Sequence, residues 1–283
     1  MKKKNRKLNI EKKNRKEKQK NIMEKQNDSD RIAIVTGASS GIGQAISQAL
    51  CLGGYEVYGI GRDFRTLDNN PEYENMIDRE SVRQVDDINT NESWIHKFHP
   101  VVCDLLDTNR LKEVIGNITD GHRCSLLVNN AGVAYYGLHE ELNTEKIQLM
   151  VRTNLEVPMV LTQLLLRQLK ENQGMIINIS SVTAHKSSPH GCAYAATKAG
   201  LSSFSQSLFD EARKYGVRVV SIHPDMTATR LYRNADFRED DKEDARLLPE
   251  DVAKAVTQVI SFRDGINITE LTIQPQKHRI RKK

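Results

Sequence analysis

Tyr194 and Lys198 stand four residues apart in a segment, 194–215, whose composition predicts a helix. Side chains at that spacing rise from the same helical face, one turn apart. A free tyrosine has a pKa of about 10 and is a poor acid or base at neutral pH. A lysine cation held beside it favours the phenolate and is expected to lower that pKa. The pair would then pass a proton to or from an alcohol oxygen near neutral pH. Ser181 follows the apolar run 175–180, which reads as a buried strand. Its hydroxyl would lie at the strand's carboxyl end, where open α/β sheets hold their ligands.

A second group of residues is suited to a phosphate. Thr36, Gly37, Ala38, Ser39, Ser40, Gly41, Ile42 and Gly43 follow the apolar run 32–35 and precede the helix-forming run 44–50. A buried strand, a glycine-rich turn and a helix start aim backbone N–H groups at an anion. The glycines let the chain turn sharply and let a pyrophosphate approach the backbone. The next strand-like run, 55–60, ends at Gly61, Arg62 and Asp63. In a dinucleotide-binding sheet an acid at the end of this strand binds the ribose and selects NAD. Gly61 takes that position here, and the planar guanidinium of Arg62 suits a 2′-phosphate, so NADP is expected in preference to NAD. A register one residue longer would put Asp63 there and reverse the preference.

With Asn129, Asn130, Ala131, Gly132 and Asn154, these motifs resemble the short-chain dehydrogenase/reductase family in its shorter-subunit branch. The order of the motifs and the spacing from Ser181 to Tyr194 match that family, and the resemblance covers residues 31–275. It implies one α/β domain, a Rossmann-like doubly wound parallel sheet of about seven strands. It also implies roles. Tyr194 would supply the proton, Ser181 would bind the same oxygen, and Lys198 would hold the nicotinamide ribose. Asn154 would hold a water relaying protons between Lys198 and solvent. Gly37, Ser39, Ser40, Gly41, Ile42 and Gly43 would cradle the pyrophosphate, with Arg62 at the adenosine ribose. Asp104 and Leu105 would contact the adenine, and Asn130, Ala131 and Gly132 would flank the other ribose. Pro224, Thr227 and Thr229 would lie over the nicotinamide, although Asp225 stands where the family most often has glycine.

The elements that must position these groups alternate along the chain. Strands are expected at 32–35, 55–60, 101–105, 125–128, 175–180, 216–222 and 266–273. Helices are expected at 107–118, 144–171, 194–215 and from 249, with Pro158 kinking the second of these. Residues 64–99 are polar, contain Trp94 and read as an irregular insertion with one short helix. Residues 230–248 read as a lid over the substrate. The charge-dense run 238–246 offers no apolar pocket, which favours a small polar ketone, aldehyde or hydroxy acid over a sterol.

A chain of 283 residues fits one large domain. No apolar run approaches the length of a membrane span, and no apolar stretch of the kind found in leader peptides follows the basic start. Residues 1–30 carry 12 Lys/Arg against 5 Asp/Glu and predict a disordered basic tail; the remainder, with 30 against 32, is close to neutral. No aromatic is interleaved in that tail for base stacking, so no nucleic-acid partner is expected. Met23 is an alternative start. Residues 276–283 form a basic C-terminal tail. The 4 cysteines lack metal or redox spacing and read as reduced thiols of a cytoplasmic protein. None of the 8 histidines forms a zinc set with Cys or acidic partners, so no metal is expected, and His185 and His190 are left out of the chemistry. The family resemblance implies a homodimer or homotetramer, associating through the 144–171 and 194–215 helices. It would move a hydride between NADP and the carbonyl or alcohol carbon of a small molecule. An NAD-dependent alcohol dehydrogenase and a non-catalytic NADP-binding regulator are the alternatives.

Overall fold

The computed structural model describes residues 31–64, 94–277 and 279–283. The tail expected at 1–30 and most of the expected insertion, 65–93, lie outside the described residues. Strand β1 (Arg31–Thr36) is buried from Ile32 onward, as an apolar run in a two-sided sheet should be. It pairs in parallel with β2 (Glu56–Gly61) on one side and β4 (Arg123–Asn129) on the other. Strand β3 (Phe98–Val102) extends the sheet beyond β2. Strands β5 (Met175–Ile179) and β6 (Arg218–Pro224) extend it beyond β4. A short β7 (Phe237–Glu239) stands outside this sheet, which β8 (Glu270–Ile273) closes. The spatial order is β3-β2-β1-β4-β5-β6-β8, all parallel. The order reverses between β1 and β4, and a crevice for a ligand opens at that switch point, outside the strands' carboxyl ends.

Alternate side chains of each strand feed two cores. Ala33 and Val35 pack with helix α1 (Gly41–Leu52), whereas Ile32 and Ile34 pack with α2 (Thr108–Thr119) on the opposite face. Helix α3 (Thr144–Val151) runs through a π turn, Arg152–Glu156, into α4 (Val157–Glu171). Leu161 and Leu165 of α4 and Leu208 of α5 (Cys192–Ala212) complete the second core, and Val252 and Val256 of α6 (Pro249–Ile260) complete the first. Each fully buried Leu, Ile or Val side chain contributes about 1.5–3 kcal/mol.

Four expectations are corrected. The break in the 144–171 helix is the π turn around Asn154; Pro158 lies in the first turn of α4, where a missing N–H costs little. Strand β3 begins at Phe98 and ends before Cys103, so the expected strand 101–105 is displaced toward the N-terminus. Phe64, Trp94 and Ile95, read as parts of a polar insertion, are buried with Phe98 in the first core, with the Trp94 and Phe98 rings 5.9 Å apart. The basic C-terminal segment is paired: β9 (Ile280–Lys282) runs antiparallel to β7.

Candidate active site

Two loops meet at the switch point. Gly37 follows β1 with φ +67°, a conformation glycine adopts without strain. A Cβ on Gly43 would fall 2.2 Å from the Gly37 carbonyl and 2.5 Å from Asn130 Nδ2, so α1 enters this turn only with glycine at that position. Asn130 Nδ2 donates to the Thr36 carbonyl at 2.8 Å. Thr36 Oγ1 accepts from the backbone N–H groups of Asn130 and Ala131 at 3.0 Å each. The loop after β4 is thereby bound to the loop after β1. Thr229 reaches the same place from across the crevice, its Cγ2 lying 3.4 Å from where a Gly41 Cβ would be.

The adenosine end of the crevice is built on β2 and β3. A Cβ on Gly61 would meet Phe64 Cζ at 3.0 Å and Ser39 Cβ at 3.1 Å, so a side chain here is accommodated only if these neighbours give by a few tenths of an ångström. Arg62, the next residue, is exposed. Cys103 N–H donates to the Gly61 carbonyl at 2.9 Å, which brings exposed Asp104 and buried Leu105 beside this turn. Asp104 Oδ1 accepts from Leu106 N–H at 3.0 Å.

Strand β5 ends at the proposed chemistry. Ser181, Tyr194 and Lys198 are buried together, with the Ser181 hydroxyl near enough to the Tyr194 hydroxyl to favour its ionised form. Ser181 Oγ also accepts from Thr183 N–H at 3.2 Å. Lys198 Nζ lies 5.8 Å from the Tyr194 ring centroid and donates to the Ile179 carbonyl at 2.8 Å. Gly132 is positioned above them: a Cβ there would sit 3.5 Å from Asn154 Oδ1 and 3.7 Å from Lys198 Nζ. Asn154 is fully buried. Its Oδ1 accepts from Val133 N–H at 2.9 Å, and its Nδ2 donates to the Val133 carbonyl at 2.9 Å and to Thr197 Oγ1 at 3.1 Å. Both amide hydrogens are therefore committed to protein partners.

The electrostatics differ from the sequence expectation. Burial pushes the Tyr194 hydroxyl from 10.0 up to about 12, opposed by the nearby Ser181 hydroxyl. Burial pushes Lys198 from 10.5 down to about 8. The expected lowering of the tyrosine pKa by Lys198 is thus reversed. The ammonium donates to the Ile179 carbonyl, and desolvation of the phenolate is the largest influence on Tyr194. Tyr194 is a neutral phenol at pH 7, competent to give a proton.

Pro224 ends β6, Thr227 and Thr229 follow it, and Thr229 reaches the crevice beside Gly41. Asp225, which stands in place of the family's usual glycine, braces the turn: it accepts from Met226 N–H at 2.8 Å and from Gln274 Nε2 at 2.7 Å. Thr227 Oγ1 donates to the Asp225 carbonyl at 2.9 Å, and Thr229 Oγ1 accepts from Leu231 N–H at 3.3 Å.

The segment 230–248, expected as a lid, has two faces, and the sequence reading found only one. Its charges meet the C-terminal segment: Arg281 binds Asp240 at 3.3 Å and Asp241 at 2.7 Å, and Lys277 binds Asp244 at 2.5 Å. Lys283 Nζ donates to the Tyr232 carbonyl at 2.7 Å. The other face is aromatic. Tyr136 packs against Tyr194 at 6.0 Å between ring centroids, and Tyr232 and Phe237 of the lid pack on Tyr136 at 6.3 Å and 4.9 Å. No pattern of alternation marks these rings in a segment dominated by charge.

Gly41 and Gly132 leave bare backbone along the crevice; among the described residues, Thr229 is the one across the crevice that a Gly41 Cβ would approach within 4 Å. With the exposed Arg62 at one end and Tyr194 at the other, these residues fit a nicotinamide dinucleotide.

The model of the family described as short chain dehydrogenase matches residues 31–240. An uncharacterized oxidoreductase of Staphylococcus epidermidis is 32% identical over 247 residues, covering 87% of this chain and 97% of its own. A serine 3-dehydrogenase of Rhizobium radiobacter is 32% identical over 250 residues, 86% of this chain and 92% of its own. Among solved structures, a metagenomic short-chain oxidoreductase in complex with NADP superposes with a TM-score of 0.67 at 28% identity, covering 87% and 98% of the two chains.

Proposed function

The chain belongs to the short-chain dehydrogenase family and is an oxidoreductase dependent on a nicotinamide nucleotide; we propose that the nucleotide is NADP and the substrate a small polar carbonyl or hydroxy compound. The observation that carries this reading is the buried Ser181–Tyr194–Lys198 group at the carboxyl end of β5, beside the crevice. The tight packing that a side chain at Gly61 would meet and the exposed Arg62 beside it support NADP. Residues 31–275 form the catalytic domain in this reading.

Bound in the crevice, the nucleotide would supply or take up a hydride at the carbon that bears the substrate oxygen. The chain's own residues manage the proton and the charge on that oxygen. In the reductive direction neutral Tyr194 gives its proton to the oxygen as negative charge develops, and Ser181 donates a hydrogen bond to the same atom. These interactions strengthen in the transition state, so they accelerate the step rather than only bind the substrate. Lys198, held near neutrality by burial, is the adjacent group through which Tyr194 regains a proton. Asn154 shapes the site by fixing Val133 and Thr197; a relay water would use its remaining oxygen lone pair or its main chain, since its amide hydrogens are committed.

The Rhizobium relative is named for serine, a small β-hydroxy acid, which supports a polar hydroxy acid as substrate class. The Tyr136, Tyr232 and Phe237 rings would close over its carbon chain. Val151 and Met159 are exposed on α3 and α4, which supports association of subunits through that helical face. Among the described residues no helix is long and apolar enough to cross a membrane, and the 4 cysteines are free, which supports a cytoplasmic location.

The test is consumption of NADPH and NADH, side by side, over a panel of small aldehydes, ketones and keto acids, with the reverse assay on hydroxy acids including serine. NADPH should be favoured, and Arg62→Glu should weaken NADPH about 10- to 100-fold, the value of a charge-assisted contact, while sparing NADH. Equal use of both nucleotides by the parent chain would remove the NADP assignment.

A further inference from the structure

His185, His223 and Glu270 each offer a ligand atom within 4.8 Å of the others, at a place the proposed reaction does not use. They come from the loop after β5, the end of β6 and the start of β8. His223 is fully buried and its Nδ1 lies 3.2 Å from the Ser181 carbonyl. A carbonyl can only accept, so the ring proton resides on Nδ1 and Nε2 carries a lone pair. That lone pair faces His185 Nε2 at 3.4 Å. Glu270 Oε2 lies 3.7 Å from the same His185 nitrogen, and its other oxygen, Oε1, accepts from Gln206 Nε2 at 2.7 Å.

These distances are those of a coordination shell. Zinc–imidazole bonds are about 2.0–2.1 Å, so neighbouring ligand atoms of a tetrahedral site stand about 3.4 Å apart. The two histidine nitrogens already have this separation. The Glu270 carboxylate, within 4.8 Å of the His223 nitrogen, would close on the ion by about 1 Å through rotation of its exposed side chain. The supporting groups are also in place. Ligating histidines commonly donate their second ring N–H to a carbonyl, and ligating carboxylates are themselves hydrogen-bonded. Ser181 and Gln206 do this here. His185 and Glu270 are exposed, so an ion has a way in.

We propose that His185, His223 and Glu270 bind one Zn²⁺ ion, with water in the fourth position, and that the ion braces Ser181 through His223. Two imidazoles and a carboxylate suit zinc better than magnesium or calcium, which prefer oxygen ligands. A cation on Nε2 polarises the ring and strengthens the Nδ1–H bond to the Ser181 carbonyl. That carbonyl also accepts from Ala184 N–H at 3.0 Å, so the turn carrying the Ser181 hydroxyl would be held from two sides. The sequence reading leaves these histidines aside because 38 residues separate His185 from His223, with no local spacing to mark them.

The test is calorimetric titration of ZnCl₂ into the full chain after chelator treatment, with Co²⁺ spectra in parallel. One equivalent should bind, and Co²⁺ should give the intense visible bands of a four-coordinate site. His185→Ala and Glu270→Gln alter exposed side chains and should preserve the fold, checked by circular dichroism. Each should weaken Zn²⁺ by about a hundredfold or more, since loss of even a supporting partner costs 10–100-fold. Tyr194→Phe should bind as the parent does. Failure to bind would overturn the proposal, and so would equal Zn²⁺ binding by parent and variants, which would assign the ion to Cys192 or the tails. The readout is metal binding, so the outcome is independent of the proposed reaction.

Discussion

Lys198→Met tests whether the lysine is held in the site against its own solvation. The native group titrates near 8 instead of 10.5 because burial penalises the cation. At about 1.4 kcal/mol for each pH unit, that gap is about 3 kcal/mol. Methionine has a similar length, fills irregular space and carries no charge. It would remove the penalty but leave the Ile179 carbonyl without its lysine partner, a loss of up to about 1–3 kcal/mol. At pH 7 the variant should therefore lie between unchanged and about 2 kcal/mol more stable than the parent, although it turns over no substrate. The pH dependence gives the sharper test. Below about pH 8 both folded and unfolded parent chains hold the lysine proton, and the full penalty is present. Between pH 8 and 10.5 the unfolded chain holds a proton that the folded chain has released, so parent stability rises with pH. The advantage of the variant should shrink by about 2 kcal/mol between pH 7 and pH 9.5, below the range in which Tyr194 titrates. Urea unfolding of both chains under reducing conditions at the two pH values measures this. A variant destabilised at pH 7 by more than about 1 kcal/mol, or a difference flat with pH, would refute the reasoning.

Other perturbations separate the supporting parts. Asn154→Ala strips Val133 of two hydrogen bonds and Thr197 of one, and should cost about 2–4 kcal/mol in urea unfolding; a loss below 1 kcal/mol would mean the π turn holds without it. Deleting residues 276–283 removes β9 and the cations that meet Asp240, Asp241 and Asp244. Limited proteolysis within 230–248 should speed up and KM should rise more than kcat falls; unchanged cleavage would show that the lid does not depend on this pairing. Arg281→Ala alone should cost about 1 kcal/mol or less: the Asp241 pair is exposed, and buried Asp240 keeps its hydrogen bond from Lys242 N–H.

The nucleotide-binding half was the most legible part of the sequence. Its first strand is buried from Ile32 onward and reads as an unbroken apolar run, and Gly37 and Gly43 occupy positions where the backbone itself excludes a side chain. What escaped is what depends on the tertiary arrangement. Tyr136, Tyr232 and Phe237 converge from segments about a hundred residues apart, so the aromatic face of the lid was hidden behind its charges. The β7–β9 ribbon is polar and short, with no alternation to announce a strand. The direction of the Tyr194 shift depends on how deeply the ring is buried and where the ammonium points, and a spacing of four residues encodes neither. Pro158 drew attention to a kink, whereas the interruption lies in the π turn around Asn154, one of whose partners is contributed by α5.

The central claim is that Tyr194 gives the proton in a nicotinamide-dependent reduction, and Tyr194→Phe measures it most directly. The substitution removes one hydroxyl and keeps the ring that packs against Tyr136. The variant should bind NADPH within about twofold of the parent and lose turnover by about a hundredfold or more, the usual share of a positioned general acid. Turnover within tenfold of the parent, with NADPH binding intact, would contradict the account.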